Sequence, residues 1–86
     1  MQARIEQKLR DSFSVVFLEV VNESSKHKGH SGDDGSGESH FSVTLISPDF
    51  SDHTRVNRQR MVFSALEEEM KTIHALSLDV RPNIKA

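Results

Sequence analysis

The stretch from Ser24 to His40 constrains this chain more than any other. It is polar and glycine-rich, lies between two apolar runs, and holds all four glycines and three of the five histidines. A segment of that composition buries too little apolar area to offset the entropy of ordering it. The packed structure must therefore come from what flanks it. Imidazole chemistry would give such a loop a use; on pattern alone its histidines read first as ordinary polar loop residues.

In front of the loop, residues 2–13 predict a helix. Ile5, Leu9 and Phe13 recur every four residues as a narrow apolar stripe, and Glu6 and Arg10 form a favourable i,i+4 pair on another face. Residues 15–21 are rich in β-branched side chains and too short for a stable helix, so they predict a strand. Behind the loop, residues 41–47 alternate, with Phe41, Val43 and Leu45 on one face. These two strands pair antiparallel, joined by an oversized connection. Residues 48–53 are turn chemistry, and His53 falls there as a turn residue. Ser51 or Thr54 can cap a second helix over 55–71. Its expected core stripe is Val56, Phe63, Leu66 and Met70, with Gln59 on the same line and Glu67, Glu68 and Glu69 on a solvated face. Residues 72–80 predict a third strand, with His74, Leu76, Leu78 and Val80 sharing one face until Pro82 stops it. A strand–helix–strand connection is right-handed almost always, which makes the second and third strands parallel. The expected fold is α+β, in the order α-β-β-α-β: a three-stranded mixed sheet with both helices on one face. Eighty-six residues make one domain, 1–86, with a small core.

Several blocks then look familiar together. Leu18 to Ser24, Glu38 to Phe41, Arg58-Gln59-Arg60, Glu67 to Met70 and Ile73 to Ser77 resemble the BolA family, in the family's order and over nearly the whole chain. The resemblance implies a fold similar to the type II KH domain. It also implies a protein that pairs with a monothiol glutaredoxin to share a [2Fe-2S] cluster, in iron homeostasis or iron–sulfur cluster trafficking. Bacterial members are also described as transcriptional regulators of morphology and stress. The family's cluster ligands are a loop His or Cys and the His of the third-strand block; carried over, these are His27 and His74. Two departures stand out. The loop is a few residues longer than usual and offers His30 as an alternative ligand. The family's Arg-His-Arg block reads Arg58-Gln59-Arg60, and glutamine neither titrates nor readily binds iron.

The chain has no cysteine, so it can supply no thiolate. Two histidines replacing two thiolates on one iron of a two-iron cluster raise its potential. The resemblance assigns the remaining ligands to the glutaredoxin cysteine and its glutathione, so no cofactor is expected in the isolated chain. Ligand imidazoles must be neutral at the metal-facing nitrogen, so binding weakens as pH falls through the imidazole range. On pattern alone, His74 reads as a core-edge residue of an apolar strand; the resemblance makes it a ligand. His40, at the start of the second strand, reads as orienting the ligands rather than as one of them.

Other functions draw on different residues. Arg55, Arg58 and Arg60 form a local basic cluster on the second helix, suited to a solvated face, to DNA, or to an acidic partner or glutathione. Against DNA stands a net charge of −2 with no global basic excess. Gly32-Asp33-Asp34-Gly35 matches the nucleic-acid-clamping GXXG only in letters: it lies between strands and carries two acids that repel phosphate. There is no Cys nucleophile and no metal-hydrolase spacing, so an enzyme is not expected. The absence of disulfides, of a long apolar run and of a signal-like N-terminus predicts a cytoplasmic protein without membrane contact; the sequence does not fix the oligomeric state, and a monomer or weak homodimer is expected for the chain alone.

Overall fold

Ile5 and Leu9, one helical turn apart, are fully buried and anchor the first helix, α1 (Gln2–Ser12), to the rest of the chain. The computed structural model describes residues 1–23 and 40–83. After α1 come β1 (Phe17–Asn22), β2 (His40–Ile46), α2 (Arg55–Ala65) and β3 (Ala75–Arg81), with 3-10 turns at Pro48–Phe50 and Glu69–Lys71. The sheet order is β1-β2-β3, with β1 antiparallel and β3 parallel to β2. This is the expected α-β-β-α-β arrangement. The interior of the long connection, with His27 and His30, lies outside the described residues.

Period-two alternation sorts the sheet into two faces. Val20, Phe41, Val43 and Leu45 are buried beneath the helices, beside the half-buried Leu76, Leu78 and Val80. The core is completed by Ile5, Leu9, Phe50, Val62, Leu66 and Ile73. The other face carries Glu19, Val21, Ser77, Asp79 and Arg81, all exposed.

The second helix departs from expectation in length and in phase. It ends at Ala65 rather than near residue 71. Three consecutive carboxylates at a C-terminal end oppose the helix dipole, and the chain turns there into the short 3-10 segment. Its buried line runs through Val62 and Leu66, with Met61 and Ala65 partly covered, whereas Val56 (57% exposed) and Phe63 (37%) face outward. Glu69 is not on a solvated face: it is 1% exposed.

The two ends of the sheet differ in chemistry. At one end, Ser47 N–H donates to Arg81 O (3.0 Å) and Ser47 Oγ accepts from Asp49 N–H (3.1 Å). Asp49 also accepts from Ser14 N–H at 2.8 Å, and Phe13 packs on Phe50 with ring centroids 4.9 Å apart. This end is closed by packing and turn hydrogen bonds. The opposite end carries His40 and His74.

Candidate functional site

The histidine-bearing rim is built by three chain segments meeting. β1 finishes at Asn22, and the following Glu23 N–H donates to His40 O at 2.9 Å. That bond pins the two ends of the long connection side by side. Parallel pairing with register His40↔Ala75 then brings the start of β3 to the same rim. His74 precedes β3 by one residue, so its imidazole sits beside that of His40, with ring centroids 5.3 Å apart and planes tilted by 48°.

The two imidazoles differ in access. His40 is buried (9% exposed), whereas His74 is exposed. The core-edge reading of His74 is thereby corrected: its neighbour Ile73 enters the core (5% exposed) and His74 stays outside. The reason is the turn at Glu69–Lys71, where Glu69 O accepts from both Thr72 N–H (3.0 Å) and Ile73 N–H (3.2 Å). The chain emerges from that turn with Ile73 directed inward, and β3 starts only at Ala75. Among the described residues no group of three or more His, Asp or Glu side chains converges as a metal site. The rim brings the His40 and His74 imidazoles together, one buried and one exposed.

The basic cluster occupies a different surface. Arg55, Arg58 and Gln59 of α2 line a shallow groove with Leu78, Asp79 and Val80 of β3. Thr54 caps the helix, its Oγ1 accepting from Asn57 N–H at 3.1 Å, and Arg58 Nε donates to His53 O at 3.0 Å. Asp79 is engaged by Arg81 through two hydrogen bonds of 3.0 Å, and the carboxylate holds the Arg81 guanidinium above its usual pKa. No described carboxylate forms an ion pair with Arg55, Arg58 or Arg60, so the groove carries excess positive charge. Strands rise about 3.3 Å per residue, so the groove around Asp79 lies well along β3 from the His74 rim.

Glu69 is the site residue that sequence patterning missed. Arg4 Nη2 donates to its Oε2 at 3.0 Å, and Lys8 Nζ lies 3.9 Å from its Oε1. One signal was available: Glu69 stands three residues after Leu66 and four before Ile73, on the line between two inward side chains. No described helix is long and apolar enough to cross a membrane.

Comparison with known proteins agrees with this architecture. The family model described as BolA-like protein matches residues 9–83. The chain is 48% identical over 79 residues to the DNA-binding transcriptional regulator BolA of Escherichia coli, covering 91% of this chain and 71% of that protein. It is 38% identical over 80 residues to SufE-like protein 1 of Arabidopsis thaliana, covering 87% of this chain but 22% of that longer protein. Among solved structures, the BolA domain of SufE1 from Arabidopsis thaliana superposes with a TM-score of 0.86 at 32% identity, covering 99% and 94% of the two chains. BolA1 from the same plant gives 0.83 at 34% identity, covering 94% and 89%.

Proposed function

The chain belongs to the BolA-like family, and from that premise we propose that it pairs with a monothiol glutaredoxin to share a [2Fe-2S] cluster, in iron homeostasis or cluster trafficking. The observation that carries this reading is the exposed His74 imidazole on the rim where the chain leaves at Glu23 and returns at His40. A ligand to a cluster held between two proteins has to be reachable by the partner, and His74 is. His27 is the second ligand from this chain, with His30 as the alternative. The cluster supplies the electron-accepting chemistry when bound. This chain's part is to present imidazole nitrogens, hold His74 against the buried His40 ring, and leave the thiolate positions to the glutaredoxin cysteine and glutathione. The test is to mix the apo-protein with [2Fe-2S]-loaded monothiol glutaredoxin and record visible circular dichroism. A new spectrum is expected, lost in His74→Ala. An unchanged spectrum on mixing overturns the reading.

A second reading is favoured by the Escherichia coli relative, which is named a DNA-binding transcriptional regulator. Arg55, Arg58 and Arg60, with no described carboxylate paired to them, would contact phosphates. Fluorescence anisotropy with duplex DNA should then weaken linearly in log–log salt with a slope of about −0.9 per phosphate contacted, and Arg55→Ala should reduce that slope. Affinity indifferent to salt excludes it. The two readings use separate surfaces of β3 and α2, so one protein can serve both.

A further inference from the structure

We propose that Glu69 is a positioning residue for His74: its buried carboxylate, held by Arg4 and Lys8 of α1, fixes the turn from which the imidazole emerges. This rests on the reading of His74 as a ligand. Glu69 is 1% exposed, yet its Oε1 has no hydrogen-bond partner, and Lys8 reaches it only as a charge at 3.9 Å. A half-satisfied buried carboxylate is a poor way to fill a core, where an apolar side chain of similar volume does at least as well. What charge adds is direction. Arg4 and Lys8 are one helical turn apart on α1, and both reach the same carboxylate. The exposed Lys71–Glu68 pair in the same turn has no comparable hold, since both partners are free in solvent.

The restraint passes along a short path. The Glu69 side chain is tied to α1, while its own carbonyl accepts from Thr72 and Ile73 N–H. Ile73 is fixed further by burial. His74 follows immediately, with no freedom in the chain before it except its own dihedrals, and its ring lies against His40. Ligand geometry tolerates only small displacements, so a support of this kind matters to metal binding beyond its effect on stability.

The experiment uses the full chain and two readouts: the proton contact between the His40 and His74 rings by NMR, and the midpoint of titration with [2Fe-2S]-loaded monothiol glutaredoxin by visible circular dichroism. In Glu69→Gln the ring contact is expected to be lost and the midpoint to rise about tenfold. Val62→Ala, which weakens the core away from the turn, should lower the urea midpoint and leave both readouts unchanged. Arg4→Met combined with Lys8→Met should reproduce Glu69→Gln, and Arg4→Lys should retain the contact. Should Glu69→Gln not fold, the triple variant Arg4→Met, Lys8→Met, Glu69→Met decides the matter, because replacing the whole charge group by apolar side chains leaves no uncompensated buried charge; it is expected to fold and to lose the ring contact, and a retained contact overturns the proposal. An intact ring contact in a Glu69→Gln protein that has only lost stability overturns the proposal. If the wild-type mixture gives no new spectrum, cluster sharing fails while the ring contact still decides the role of Glu69.

Discussion

At the scale of single residues, the site is a pair of histidines with opposite environments. His40 is buried and His74 exposed, with their rings in contact. The buried ring restricts the rotamers of the exposed one, which would lower the entropy His74 loses in the proposed metal binding. His40→Ala is therefore expected to weaken the glutaredoxin–cluster complex by about tenfold without abolishing its spectrum, whereas His74→Ala abolishes it; titration by visible circular dichroism separates the two. His74 was legible as a candidate because a distinctive block surrounds it. Its contact with His40 was not, because that depends on the register His40↔Ala75. Alternation indicates that β2 and β3 are strands, and the helix between them implies that they run parallel, but a shift of two residues along the pair keeps every side chain on its face.

At the scale of elements, the strands followed their sequence patterns because each has one apolar face and one core to put it in. The second helix did not. Of the expected stripe, Leu66 is buried but Val56 and Phe63 face outward; the line through Arg58, Met61, Val62 and Ala65 has helical spacing too, and packing settled on a phase that buries Val62 beside Leu66. The helix also stops early, so Met70 never joins its stripe. Glu69 was hidden for a different reason: Arg4, which donates to one of its oxygens, is 65 positions away in the chain. Local periodicity carries no information about such a pair. The phase of α2 is directly testable by urea denaturation. Val62→Ala should cost about 2 kcal/mol through lost burial. Val56→Ala, at an exposed position with 57% accessibility, should instead be neutral or stabilising by a few tenths of a kcal/mol, because alanine is the better helix former. Equal losses at the two positions would contradict the observed phase.

At the scale of the whole molecule, the sheet separates two chemistries. Its histidine rim gathers the two ends of the long connection and the start of β3. Its far end is closed by Phe13, Phe50 and the Ser47 turn. The arginine groove lies between these along β3. The central claim concerns the rim alone, and one measurement addresses it most directly. The mixed cluster is prepared from this chain with 15N-labelled histidine and unlabelled glutaredoxin, reduced, and studied by pulsed electron paramagnetic resonance. Strong coupling to two 15N nuclei is expected in the wild-type mixture, no 15N coupling with His74→Ala, where the mixed cluster does not form, and a changed pattern with whichever of His27→Ala or His30→Ala removes the loop ligand. An intact cluster with no 15N coupling, or with coupling that survives His74→Ala unchanged, would contradict the account.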